Sequence, residues 1–228
     1  MSQPLPQGEE KTRAVRAMFD AIAPRYDLVN RIMTFRMDVG WRKRTVDDLA
    51  LPGGSIVLDL ASGTGDLSRE LHARDIEAIS VDLSEGMLRA DRSGVPRVLA
   101  DVLQLPIRDA DVDGATCGFA LRNLRELPAF FAELARVVRV GGRVALLEVS
   151  IPESSLMRWG HGIYFGHVVP VIGGWLSDGE AYRYLPRSVE YLPEPADLVE
   201  MFRSSGFGDA RRVALSGGIA QLLTGTRS

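Results

Sequence analysis

Between residues 55 and 151 the chain alternates two hydrophobic rhythms. Short, nearly unbroken apolar runs, SIVLDLA, EAISVDL, PRVLADV, GATCGFAL and GRVALLEVSI, read as strands. Between them, DLSRELHA, SEGMLRAD and PAFFAELARVV space their apolar residues to line one face of a helix. Strands apolar on both faces belong to a parallel sheet covered on both sides. The pattern therefore predicts an α/β fold with a mostly parallel, Rossmann-type sheet.

Ahead of this core, residues 1–12 read as a loose tail. TRAVRAMFDAIA has helical spacing and stops at Pro24. A second helical stretch is predicted from about Leu28 to Leu49, broken near Gly40. Residues 1–50 thus form a tail and helical cap, and residues 51–228 the main domain, in a single globular unit. After Ile151 the rhythm fails for about 35 residues, so an insertion after the fifth strand is expected at about 151–190. A helix, PADLVEMFRSSG, and two strand-like runs close the chain.

Composition narrows the class. With 228 residues, 46% hydrophobic and 25% charged, the chain can bury one full core. A net charge of −3 without a long basic block argues against a nucleic-acid partner. Cys117 is the single cysteine, which excludes an intrachain disulfide and suits a reducing cytoplasm. The opening MSQPLPQGEEKTR lacks the apolar core of a signal peptide. No metal is expected.

Candidate chemistry starts where the first strand ends, in SIVLDLASGTGDLS. Gly63 and Gly65 allow a tight turn with room for a ligand, and the helix after Asp66 opens with free amide donors. A dinucleotide fold wants a third glycine, but Ser68 stands there. Asp59 and Asp66 flank the turn. They would repel a pyrophosphate but suit a ligand carrying an ammonium and a sulfonium, which is S-adenosylmethionine (SAM). Asp82, followed by Leu83, ends the second strand, where it can accept both ribose hydroxyls. Asp101 ends the third, where a side chain meets an adenine amino group. The alternative is that Asp59 and Asp82 only cap helices or satisfy turns.

Four segments carry a family likeness: MFDAIAPRYDLVNRIMTFRMDVGWRKR, VLDLASGTGDLS, GFALRNLRE and AYRYLPRSVEYLPEPADLVEMFRSSGF. Over roughly residues 14–220 the chain resembles the menaquinone and ubiquinone biosynthesis C-methyltransferases. The first and third segments are much more specific than the glycine turn, which most methyltransferases share. The resemblance implies a class I-like methyltransferase fold and SAM-dependent methylation of a ring carbon of a polyprenylated hydroquinone. Demethylmenaquinol is the expected acceptor, with a ubiquinone-pathway ring or another phenolic or lipid acceptor as the alternative. It also implies that Thr64, Asp82, Asp101, Val102 and Gly118 surround the cofactor.

The acceptor chemistry points to further residues. A hydroquinone hydroxyl ionises near ~10, and its loss of a proton makes the ortho carbon nucleophilic. Arg122 and Asn123 follow the fourth strand at its ligand-facing end. Arginine stays protonated, so Arg122 is expected to stabilise the phenolate and hold a water that takes the proton, while Asn123 orients the other ring oxygen. The competing reading pairs Arg122 with Glu126 and makes Asn123 a helix cap. Tyr26 is expected to edge the methyl pocket, with Asn30 nearby, and Trp41 either stacks on the acceptor or packs in the core. His161 and His167 are candidate bases, and Tyr182 returns towards the site after the insertion. In LMRWGHGIYFGHVVPVIGGWL, charge, histidines, Pro170 and glycines argue against a spanning helix. Residues 156–176 are expected to form a greasy lid over the prenyl chain. They would touch the inner face of the cell membrane peripherally, unless they are an insertion packed on the core. Two other readings remain open: a catalytically silent quinone-binding protein and a nucleotide-dependent dehydrogenase.

Overall fold

The computed structural model describes residues 7–152, 154–155, 157–158 and 188–228. Seven strands form one sheet: β1 (Ile56–Leu60), β2 (Glu77–Asp82), β3 (Arg97–Leu99), β4 (Val112–Gly118), β5 (Val138–Val149), β6 (Arg211–Leu215) and β7 (Ala220–Thr226). Their order is β3-β2-β1-β4-β5-β7-β6. The first five run parallel, and β7 is antiparallel to both β5 and β6. Strand order reverses between β1 and β4. That switch point opens a crevice at the carboxyl ends of the strands, where ligands bind in such sheets.

Both faces of the sheet are covered, as the unbroken apolar strands require. One face buries Phe130, Phe131 and Leu134 of α6 (Leu127–Val137) with Leu198 and Phe202 of α7 (Pro195–Ser204). Phe202 stacks on Phe207 with ring centroids 4.2 Å apart. The opposite face packs Trp41 and Leu49 of α3 (Met37–Leu49), and Leu67 and Leu71 of α4 (Asp66–His72), against Ala145 and Leu147 of β5.

The N-terminal cap differs from expectation in two places. The first helix, α1, spans Gly8–Ile22, so residues 8–12, expected as tail, are helical. Glu9 and Glu10 favour its amino end, and Lys11 is buried, donating to the Leu124 carbonyl at 2.8 Å. The second helical stretch breaks at residues 34–36, between α2 (Tyr26–Met33) and α3, and not at Gly40, which lies inside α3. The break is built by hydrogen bonds. The single proton of Thr34 Oγ1 is shared between the Asn30 carbonyl, 2.8 Å away, and Asp38 Oδ1, 2.6 Å away, while Phe35 and Arg36 turn left-handed at φ 49° and 63°. The glycine costs α3 only ~1 kcal/mol, less than the burial of Trp41 and Leu49 returns.

Candidate active site

Two larger cavities and a small one open at the carboxyl edge of the sheet, and all three have Tyr26 and Phe119 in their walls. The first lies over the switch point. It takes Gly63 from the glycine turn, Asp82 and Leu83 after β2, Asp101 and Val102 after β3, and Gly118 at the end of β4. Val15 and Phe19 of α1 close it from above. Asp20 fastens α1 there, accepting from Ser84 Oγ at 2.5 Å and from the Gly86 amide at 2.9 Å.

Asp82 is almost fully buried. It accepts from the Gly63 amide at 2.8 Å and the Ser84 amide at 2.7 Å, which fixes the glycine turn to the end of β2. Burial raises its pKa, while these amide bonds act the other way. Each carboxylate oxygen accepts only one of these bonds, which leaves lone pairs for a ligand's hydroxyls. Asp101 accepts from the Leu103 amide at 2.9 Å and lies 3.6 Å from Arg125 Nη2.

Asp59 and Asp66 are both engaged by the protein's own groups. Asp59 is fully buried beneath the turn, in register with Ser80 of β2 and Thr116 of β4. It accepts from the amide and hydroxyl of Ser68, at 2.9 and 2.7 Å, and from Thr116 Oγ1 at 3.2 Å. Ser68, the residue that departs from the dinucleotide pattern, is thus the internal anchor of the turn. Asp66 is neutralised by arginine: Arg69 binds it closely, Arg42 Nη2 lies 3.2 Å away and Arg31 Nη2 3.6 Å. Asp82 and Asp101 are the acids that line the first cavity, while Asp59 and Asp66 line a smaller pocket beside it with Ser62, Gly63 and Thr64. Thr64 donates to Asp27 of α2, tying the turn to the cap. Gly65 sits at φ 79°, where an added Cβ would collide with the Asp91 carboxylate, so both backbone and space demand glycine there.

Burial pushes the Asp59 carboxyl up to about 6, against the bonds from Ser68 and Thr116 that favour the anion. A carboxyl whose folded pKa is raised lowers stability as it ionises. Its contribution therefore falls as pH rises from about 4 to about 6 and is level above that. Asp59→Asn removes the effect, so the stability of the variant relative to wild type should rise by about 3 kcal/mol across that window. Urea unfolding at stepped pH checks this; a constant difference would contradict it.

The second cavity, about 310 Å³, lies between the cap and the β4–β5 edge. Met33, Phe35, Met37, Met157 and Ile219 make it apolar; Tyr26, Asn30, Arg42 and Arg122 give it polar points. Trp41 joins this wall, donating from Nε1 to Ser216 Oγ at 2.8 Å, with its ring 6.2 Å from that of Phe119. Tyr26 bonds to Asn30; burial raises its pKa against that bond and the nearby arginines, so its hydroxyl stays protonated. In Asp38, burial acts upward, but the Thr34 hydroxyl and Arg42 outweigh it and hold the carboxyl below its ordinary value.

Arg122 stands in a 3-10 turn, Leu121–Asn123, just past β4. It does not pair with Glu126. Its guanidinium forms a buried ion pair with Glu148 at the end of β5, donates from Nη1 to the Phe119 carbonyl at 2.7 Å and from Nε to Ser188 Oγ at 3.1 Å. Nη2 takes part in none of these bonds. Glu148 also accepts from the Arg122 amide at 3.1 Å and the Val149 amide at 2.8 Å. Asn123 lines the first cavity, whereas Arg122 lines the second. Asn123 does not cap a helix: Glu126 holds the N-cap position of α6.

Sequence reasoning missed Glu148, Phe119 and Arg42. Phe119 lines all three cavities at φ 59°, a strained conformation for a non-glycine residue, and its isolated signal was only a place after a strand. His161, His167, Tyr182 and most of residues 156–176 lie outside the described residues. No group of metal-ligating side chains occurs among the described residues.

The fold and the paired cavities define a class I methyltransferase architecture. A SAM-dependent methyltransferase from Thermotoga maritima shares it with a TM-score of 0.67 at 19% identity, covering 93% of this chain and 99% of that one. The model of the ubiE/COQ5 methyltransferase family matches residues 7–227, and the chain belongs to that family. A demethylmenaquinone methyltransferase from Roseiflexus castenholzii is 40% identical, over 98% of this chain and 97% of its own. A ubiquinone/menaquinone biosynthesis C-methyltransferase, UbiE, from Syntrophotalea carbinolica is 41% identical over 93% and 94%. Membership in a methyltransferase family sets the dehydrogenase alternative aside.

Proposed function

We propose that the chain methylates a ring carbon of a polyprenylated hydroquinone with SAM, converting demethylmenaquinol to menaquinol. The observation that carries this reading is the meeting of an acid-lined cavity and an apolar one at Tyr26 and Phe119, with Arg122 on the apolar side. The names of the similar proteins support the ring chemistry, and those called demethylmenaquinone methyltransferase favour the naphthoquinol over a ubiquinone-pathway ring.

The first cavity fits SAM. Asp82 offers lone pairs for ribose hydroxyls and Asp101 an acceptor for an amino group. In the turn itself, Ser62 Oγ is buried without a hydrogen-bond partner and lines the small adjoining pocket, which marks a place for a polar ligand group. When bound, SAM supplies an electrophilic methyl on a sulfonium. The chain does the rest. Phe119 and Tyr26 bound the passage between cavities and exclude water. Arg122 places a permanent positive charge beside the acceptor hydroxyl, lowers its pKa and stabilises the phenolate. Tyr26, kept protonated, donates hydrogen bonds and does not compete for the proton, which leaves through water held at the guanidinium.

Removing the Asp82 carboxylate tests the cofactor assignment. Asp82→Ala should weaken SAM binding by roughly 1.5–3 kcal/mol, the range for a hydrogen bond to a charged group. Unchanged affinity by calorimetry in a folded variant would exclude the contact. The function as a whole is tested by expressing the gene in bacteria lacking their own quinone C-methyltransferase. Accumulated demethylmenaquinone should disappear and menaquinone appear in the lipid extract; continued accumulation despite soluble expression contradicts the proposal.

A further inference from the structure

Among the 27 lysines and arginines only Lys11 and Lys43 are lysine; Lys43 is exposed, whereas Lys11, on α1, is 4% exposed. Burying an ammonium is costly unless other groups take up its charge. No carboxylate pairs with Lys11 among the described residues. Its Nζ instead donates to the Leu124 carbonyl at 2.8 Å and stands 3.6 Å from the centroid of the Tyr191 ring. A carbonyl and a ring face together suit a compact ammonium with three donors better than a planar guanidinium. Burial lowers its pKa to about 8, so at neutral pH it is still largely charged.

Both contacts lead to Arg122. Leu124 directly follows the 3-10 turn that carries Arg122, and its amide closes that turn on the Leu121 carbonyl at 3.2 Å. Tyr191 ends a second short 3-10 turn, Val189–Tyr191. Ser188, at the N-cap position of that turn, accepts from Arg122 Nε at 3.1 Å. Lys11 thus bridges the backbone beside the arginine and the turn beside its serine partner. The same helix walls the first cavity, through Thr12, Val15 and Phe19. Lys11 therefore stands where the wall of the proposed cofactor site meets the supports of the residue on the acceptor side.

We propose that Lys11 is a positioning residue for methyl transfer: seated with α1 on the Leu124 carbonyl and the Tyr191 ring, it fixes the two turns that hold Arg122, so that packing the helix over the cofactor also sets the guanidinium beside the acceptor. The inference rests on the reading of Arg122 as the group that stabilises the phenolate. Residues 188–192 line no part of the first cavity, so an effect of the cofactor on them has to be relayed, and Lys11 is the relay.

Two measurements test this, one of them independent of turnover. In the full-length protein, S-adenosylhomocysteine should slow hydrogen exchange both in α1 and in residues 188–192. In Lys11→Met, which keeps an unbranched apolar stem without donor or charge, the slowing should persist in α1 and vanish in residues 188–192. In turnover, Lys11→Met should lower kcat by about 10–100-fold with little change in KM for the quinol, the expected result of a misplaced catalytic group. In an Arg122→Ala background the same change should lower kcat by less than about twofold, since the group it positions is gone. Lys11→Arg keeps charge and donors and should recover part of the loss. Lys11→Gln, which keeps a neutral donor, runs the same comparison if the methionine variant does not fold. Slowing in residues 188–192 that is absent from wild type, or that survives in the variant, overturns the inference. So does an equal loss of kcat with and without Arg122. Exchange that depends on Lys11, in a protein that methylates no quinol, would support the relay and refute the proposed reaction instead.

Discussion

Arg122→Ala is expected to lower kcat by about 10²–10³-fold while leaving SAM affinity unchanged. The guanidinium sits past β4 in the wall of the second cavity, the proposed acceptor site, not of the first. Its attraction for the acceptor oxygen grows as the hydroxyl ionises, so it belongs to the transition state more than to the bound quinol. The residual rate should keep rising into the alkaline range, because the phenol then ionises without help. Arg122→Lys should restore activity only in part: an ammonium keeps the charge but cannot meet Glu148, Ser188 and the Phe119 carbonyl while also facing the cavity. Turnover at saturating substrate across pH, with calorimetry of SAM binding, reads these outcomes. A folded Arg122→Ala protein with near wild-type kcat and an unchanged pH profile would make the residue structural.

The largest stability effect should come from the other half of that ion pair. Glu148 is fully buried on β5 and accepts from the Arg122 guanidinium, the Arg122 amide and the Val149 amide. Glu148→Ala leaves a buried guanidinium without its counter-charge and two amides without this acceptor, and should cost about 3–5 kcal/mol in urea unfolding. Glu148→Gln keeps the shape and one acceptor oxygen, so its loss should be smaller. A cost below about 1 kcal/mol for the alanine variant would mean that water or another acceptor replaces the carboxylate, and the rigid placement of Arg122 would lose its support.

The sheet was legible in the sequence because unbroken apolar strands leave no exposed face, and all five predicted parallel strands form. Their ends were harder to read: β3 stops at Leu99, so Asp101 stands two residues beyond it. Carboxylates at strand ends could be placed near a ligand, but not told apart. Asp82 faces the cavity and Asp59 faces inward because Ser68, Ser80 and Thr116 surround the latter, residues far apart in the chain. The same limit hid Glu148, which reads as one polar residue inside GRVALLEVSI and finds its role only where β5 passes the turn after β4. The break in the cap was misplaced because glycine is the usual signal, whereas here a threonine hydroxyl and a strained Phe35–Arg36 pair make the bend.

The proposed reaction moves a methyl group to a quinol ring carbon across the Tyr26–Phe119 boundary. Incubating the purified protein with methyl-labelled SAM and a short-chain demethylmenaquinol, kept reduced, and locating the label by mass spectrometry and NMR tests it most directly. The label is expected on a ring carbon, with no product from the oxidised quinone. Label on oxygen, or no labelled quinone from a folded protein that binds SAM, would contradict it.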